Sequence, residues 1–303
     1  MLAKIKAAVR RQLNLLDEVR QSNRSMQQLC ASLENVDQQS LQIQRESLIH
    51  LLLQNKRYAE FGRLNSYEFN VFSQSGQDGI IHEILRRIGT TNKLCVEFGV
   101  GAGGGFENNS TYLLAQGWKG CWIEADGVAV ERIKQQMEFL ISAGRLKLLL
   151  STVTVANIAG LFKQLEIPKE FDLLSIDIDS FEFWVWRALS SYRPRVIVVE
   201  YNSFLPASAD WVLPYEPNVV LKAGSIEFGA SLKAFARLGE EIGYRLVGCD
   251  LTGSDAFFVR DDLVGKKFCE PFTAENHYEP MRYHLIKRWG YSRILSSRFG
   301  TIG

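Results

Sequence analysis

The chain lacks a surplus of either charge: 35 Lys and Arg stand against 34 Asp and Glu, a formal net charge of +1 over 303 residues. That excludes recruitment of nucleic acid by bulk electrostatics. Long apolar runs are also missing, even from the opening MLAKIKAAVRRQLN, so neither a secretory leader nor a transmembrane segment is expected. Cysteine is scarce and scattered. Cys30, Cys95, Cys121, Cys249 and Cys269 form no CxxC pair and have no histidine cluster beside them. Buried reduced thiols and a reducing, cytoplasmic compartment are the expectation. Proline and glycine are absent from the first 60 residues, which are rich in Gln, Leu, Glu and Arg, all good helix formers.

A heptad register fits that segment. Leu2, Val9, Leu16 and Cys30 take one seam position and Ile5, Val19, Met26 and Leu33 the other, with Gln12 and Asn23 as polar interruptions. Residues 1–62 are therefore expected to form a helical oligomerisation or packing segment, making a homo-oligomer the expected state. Lys4, Lys6, Arg10 and Arg11, interleaved with Leu2, Ile5 and Val9, also suit a peripheral membrane helix. Packing on a partner helix is the preferred reading.

From residue 93 the pattern changes. Nearly continuous apolar runs at 93–100, 120–126, 146–153, 171–179 and 196–202 suit strands covered on both faces. Amphipathic segments at 109–116, 127–143, 156–166 and 181–190 lie between them. This βα alternation predicts a mostly parallel sheet with right-handed crossovers. After a helix at 230–242, RLVGCDLTG and DAFFVRDDL are joined through Gly253 and Ser254, which suits an antiparallel hairpin. The expected fold is thus α/β: a class I methyltransferase-type, Rossmann-like, seven-stranded sheet with a terminal antiparallel hairpin. An NAD-binding Rossmann domain has no such hairpin. The expected catalytic domain spans 63–303, with a loop insertion at 203–228 and a C-terminal extension at 265–303.

The first strand runs into a glycine loop containing Gly99, Gly101 and Gly103, which lets the backbone approach a ligand. Glu97, two residues before the first glycine, is placed to meet the ammonium group of S-adenosylmethionine and to repel a pyrophosphate. Glu124 ends the second strand, about twenty residues on, where an acid accepts hydrogen bonds from ribose hydroxyls. Upstream, Ser73, Gln74 and Asp78 sit just outside the sheet where they could cover the cofactor, with helix capping as the alternative. His82 reads as a helix-face residue.

Asp177, Asp179, Glu200 and Asn202 fall at the ends of the fourth and fifth strands, the edge where ligands bind in open α/β sheets. If the strand persists, Asp177 and Asp179 point to opposite faces. Three readings stand side by side. Asp179 or Glu200 could be a general base. Asp179, Glu200 and Asn202 could hold Mg²⁺. Or Asp177 could bind the cofactor while the others cap loops. Trp211 and Tyr215 in the 203–228 insertion suit either an aromatic lid over a sugar ring or simple packing.

SQSGQDGII, VEFGVGAGGG, GWKGCWIEAD, LLSIDIDSFEFWVW, IVVEYN and GYRLVGCDLTGSDAFFV together resemble the FkbM-type methyltransferases, across residues 70–265 and more weakly through ENHYEP. The resemblance implies S-adenosylmethionine as cofactor and O-methylation of a saccharide, glycan, lipid or polyketide precursor. Many relatives carry glycine after the second aspartate of the fourth-strand motif, where this chain has Ser180. A catalytically degenerate scaffold and an NAD-dependent oxidoreductase are the competing readings.

Overall fold

The computed structural model describes residues 40–101, 103, 106–216 and 226–286. The heptad positions from Leu2 to Leu33 lie outside the described residues. The chain divides into two units, Met1–His50 and Leu51–Gly303. In the first, residues 40–50 are helical and expose Leu41, Ile43 and Leu48. Within the second, Arg57, Tyr58 and Arg63 bond residues 276–279.

That unit is built on seven strands: β1 (Leu94–Phe98), β2 (Lys119–Glu124), β3 (Leu146–Leu150), β4 (Leu173–Ile176), β5 (Val196–Glu200), β6 (Tyr244–Cys249) and β7 (Asp255–Arg260). Their order is β3-β2-β1-β4-β5-β7-β6. β1 to β5 are parallel, and β7 runs antiparallel between β5 and β6. The sheet reverses direction of growth at β1, opening a crevice between β1 and β4 where ligands bind. This strand order, with its inserted antiparallel strand, is the class I methyltransferase-type fold.

The strands form where the sequence is apolar on both faces, and alternation divides the core in two. Val96 and Phe98 of β1 join Phe162, Trp186 and Phe235 on one side. Cys95, one residue out of phase, joins Ile80, Ile84 and Trp122 on the other. The neighbours Phe257 and Phe258 of β7 split the same way. Cys95, Cys121, Cys249 and Cys269 are free buried thiols, while Cys30 lies outside the described residues.

The expected elements shorten at their ends. The single helix expected over 127–143 is two, Gly127–Gln136 and Glu138–Ser142, meeting at the buried Met137. Among the described residues no helix is long and apolar enough to cross a membrane.

Candidate functional site

A cavity of about 620 Å³ opens at the carboxyl ends of the parallel strands. That lies within the range of small-molecule sites, about 300–1,000 Å³. Gln74, Glu97, Gly99, Gly101, Gly103, Glu124, Asp177, Asp179 and Glu200 all line it. The glycine loop makes the crevice possible. Gly99 has φ +71°, and a Cβ there would stand 1.4 Å from the Asp177 carbonyl oxygen. Only glycine lets the β1 turn cross the end of β4 so closely.

Glu124 fastens that loop. Its Oε2 accepts from the Gly101 backbone N–H at 2.7 Å and its Oε1 from Asp126 N–H at 2.8 Å. Each oxygen keeps acceptor capacity toward the cavity. Glu97 is more deeply engaged. It accepts from the backbone N–H groups of Asn109 (2.8 Å) and Ser110 (3.1 Å) and from the Ser110 hydroxyl, which itself accepts from Trp122 Nε1. Glu97 thus clamps the start of the helix Thr111–Ala115 to β1. Burial raises its pKa, and these donors oppose the rise.

The other half of the cavity is different. β4 ends at Ile176, so the expected alternation of Asp177 and Asp179 does not occur. Asp179 adopts φ +59°, a left-handed conformation that aspartate tolerates better than most residues. The turn gathers Asp177, Asp179 and Glu200: one carboxylate oxygen from each lies within 4.8 Å of the others. Glu182 holds the turn by accepting from Ile178 and Ser180 N–H groups at 3.1 and 2.8 Å. Ser180 lines the cavity and closes the turn with its own hydroxyl on Ile178 O.

Asn202 does not join the cluster. It is fully buried, donates to Ile226 O and Phe228 O and accepts from Phe204 N–H. Its amide pins the loop after β5, leaving nothing aimed at a cation. Trp211 and Tyr215 do not line the cavity either. Tyr215 packs edge-on against Phe181 at 5.2 Å and near Trp184 at 6.3 Å, while the Trp211 backbone pairs with Ser231. The described part of the insertion packs against Phe181, Trp184 and the segment Gly229 to Ser231. Asp78 also faces away from the cavity, accepting three backbone N–H groups from Val71, Phe72 and Ser73. His82 is exposed beside Phe69 and Tyr112.

Three residues that sequence reasoning passed over belong to the site. Asp255 starts β7 directly opposite Glu200 in the antiparallel register. Gln77 reaches it with an amide hydrogen bond of 2.8 Å. Tyr283, in the C-terminal extension, lines the same wall. The signals for Gln77 and Asp255 lay within SQSGQDGII and TGSDAFF; nothing local marked Tyr283.

Like charges dominate this wall. Burial, followed by Asp255, Asp179, Glu182 and Glu97, lifts Asp177 well above the carboxylate range. Burial, then Asp177, Glu182, Asp179 and Asp255, does the same to Glu200. Asp255 is pushed up to about 7 by burial and Asp250, against the donors Gln77 and Asn109. Glu182 rises to about 7 through burial. Glu200 Oε2 has no hydrogen-bond partner among the described residues. Among the described lining residues there are seven carboxylates (Glu97, Glu107, Glu124, Asp177, Asp179, Glu200 and Asp255) and no lysine or arginine. Such a cavity is complementary to positive charge.

No protein-family model and no curated protein sequence matches the chain. Solved structures with a similar arrangement include magnesium protoporphyrin IX methyltransferase from Synechocystis with bound S-adenosylmethionine (11% identity, 61% of this chain and 77% of that one, TM-score 0.39). Others are an O-methyltransferase from Bacillus cereus with S-adenosylhomocysteine (17%, 54% and 66%, TM-score 0.30) and a mitomycin 7-O-methyltransferase (16%, 59% and 53%, TM-score 0.34). Likenesses this remote carry no argument about activity. The fold rests on the strand order itself.

Proposed function

We propose that this chain is an S-adenosylmethionine-dependent methyltransferase that acts on a hydroxyl of a saccharide, glycan or lipid precursor, the acceptor class implied by the FkbM-type resemblance. The observation that carries the cofactor assignment is the charge of the cavity: seven carboxylates without a lysine or arginine among its described lining residues. S-adenosylmethionine brings a sulfonium and an ammonium to such a site, whereas the pyrophosphate of NAD would add negative charge.

The residues divide the work. Gly99, Gly101 and Gly103 allow close backbone approach, and Glu124, fixed by Gly101 and Asp126, keeps lone pairs for ribose hydroxyls. Glu97 and Asp177 face the ammonium end. Methyl transfer needs an acceptor oxygen held in line and relieved of its proton. Glu200 suits that task. Its Oε2 has no hydrogen-bond partner among the described residues, and burial with the neighbouring carboxylates favours its protonated form, so it takes up a proton readily. When bound, S-adenosylmethionine would supply the electrophilic methyl group, and Glu200 would take the proton of the acceptor hydroxyl.

A second reading is favoured by one observation, the convergence of Asp177, Asp179 and Glu200 oxygens within 4.8 Å. Three hard oxygen donors can take Mg²⁺ in place of shared protons. The residues fit an ion there better than the Asp179–Glu200–Asn202 set expected from sequence.

Parallel calorimetric titrations with S-adenosylmethionine, S-adenosylhomocysteine and NAD test the assignment. Heat from the first two and none from NAD is expected. NAD binding in a chain that ignores both adenosyl ligands would overturn it in favour of an oxidoreductase. Silence with all three would favour the degenerate scaffold.

A further inference from the structure

Three polar atoms near the end of β5 are buried without a hydrogen-bond partner among the described residues: Glu200 Oε2, Ser203 Oγ and Tyr283 Oη. They belong to one corner. Tyr283 and Glu200 line the same cavity. Burial and then the Glu200 charge push the Tyr283 phenol above its usual range, and the Ser203 hydroxyl opposes the rise. Native structures leave few buried polar groups unpaired, because each carries a desolvation cost. Glu200 and Tyr283, two such groups on one cavity wall with the Ser203 hydroxyl beside the phenol, call for a ligand that supplies hydroxyl groups.

The chain holds Tyr283 there with some rigidity. The segment 278–286 is strapped across the hairpin turn and the end of β5. Tyr278 donates to Ser203 O at 2.7 Å, and the Tyr201 hydroxyl donates to Glu279 O. Arg282 donates to Thr252 O from its backbone (2.7 Å) and to Leu251 O from its guanidinium (2.8 Å). Glu279, almost fully buried, ties the strap to Arg57, Tyr58 and Arg282. The turn beneath must be glycine: Gly253 has φ +73°, and a Cβ there would meet Pro280 O at 2.7 Å.

We infer that this strap completes an acceptor subsite in which Tyr283, set beside the Ser203 hydroxyl, and Glu200 bind a neutral, hydroxyl-bearing acceptor. The inference rests on the methyl-transfer reading and adds the side of the cavity and the charge class of the acceptor. The phenol donates to an acceptor oxygen, and Glu200 accepts from the hydroxyl to be methylated. A phosphorylated or carboxylated acceptor would face Glu200, Asp177, Asp179 and Asp255 with no lysine or arginine among the described lining residues. Tyr283 thereby acts in binding and selection, while the proton goes to Glu200.

The test uses the full-length chain with Tyr283→Phe and Ser203→Ala. Thermal melts come first. Among the described residues the phenol has only the Ser203 hydroxyl beside it, so Tyr283→Phe should melt close to the wild-type temperature; a large drop would mean the hydroxyl is structurally bonded and would overturn the subsite. Next, saturation-transfer NMR at saturating S-adenosylhomocysteine compares neutral methyl glycosides with sugar 6-phosphates. Neutral glycosides should give signal and phosphates none. The glycoside affinity should fall about fivefold in Tyr283→Phe, with S-adenosylhomocysteine affinity unchanged. Equal glycoside binding in both variants, phosphate binding that matches or exceeds the neutral sugars, or no glycoside signal at all would each overturn the inference. Failure of wild type to bind S-adenosylhomocysteine would instead bring down the methyltransferase reading, and the subsite with it.

Discussion

The two halves of the cavity treat their carboxylates in opposite ways. On the β1–β2 side, Glu97 and Glu124 are each tied to backbone N–H groups, and those bonds fix the glycine loop and the following helix. On the β4–β5–β7 side, Asp177, Asp179 and Glu200 crowd together, one Glu200 oxygen has no partner among the described residues, and burial with mutual repulsion drives Asp177, Glu200 and Asp255 upward. The first arrangement is preorganised and needs nothing more to be stable. The second is costly until a proton or a cation arrives. The half proposed to bind the cofactor and the half proposed to react thus differ in whether the protein itself satisfies their charges.

The sharpest way to break this contrast is at Gly99. Gly99→Ala places a methyl group within 1.4 Å of the Asp177 carbonyl, so the two halves can no longer touch. A loss of at least about 3 kcal/mol of stability is expected, the upper end for overpacking. A denaturant midpoint equal to wild type would refute the close crossing.

Next in size is Glu124→Ala. It removes the proposed ribose acceptors and frees Gly101, so S-adenosylhomocysteine affinity should weaken by about 1.5–3 kcal/mol, the range for hydrogen bonds to a charged group. Unchanged affinity in a folded variant would defeat the assignment of this half to the nucleoside.

The reacting half should betray itself through pH. Asp255 and Glu182 have folded pKa values of about 7, above those of the unfolded chain, and Asp177 and Glu200 shift in the same direction. Between the ordinary carboxylate range and those raised values the native state holds more protons than the unfolded state. The ligand-free protein should therefore lose stability as pH rises through about 4 to 7, by up to about 1.4 kcal/mol per pH unit for each extra proton held. Mg²⁺ or Mn²⁺, if the Asp177–Asp179–Glu200 reading is right, should restore stability above that window and do little below it. Melting curves with chelator and with metal separate the two versions; a flat pH profile sinks both.

The smallest effect is expected from the insertion. Tyr215→Ala loses edge contacts to Phe181 and Trp184, worth about 0.5–1.5 kcal/mol each in stability, and should leave ligand affinity untouched. A large drop in glycoside affinity would revive the aromatic lid.

What the sequence revealed follows the same division. The fold could be read directly because strands covered on both faces must be apolar throughout, and because the Gly253–Ser254 junction leaves room for little besides a hairpin. Gly99, Gly101, Glu97 and Glu124 were readable because loop and acids are close in the chain. The reacting half depends on distant partners. Gln77 and Asp255 are 178 residues apart. Asp179 joins Asp177 only because it turns left-handed where a strand was expected to continue. Asn202 has the chemistry of a metal ligand, yet three backbone groups of its own loop claim it. Tyr283 reaches the wall through a strap held by Glu279, which no local pattern announces.

The central claim is that the reacting half is an acid wall awaiting positive charge. S-adenosylmethionine carries a sulfonium and S-adenosylhomocysteine a neutral thioether, so the ratio of their dissociation constants reports that wall. As pH rises from about 5.5 to about 8 and the raised carboxylates ionise, the preference for S-adenosylmethionine should grow. A ratio that stays constant across that range would show that the carboxylates do not sense the cofactor's charge, and would contradict the account.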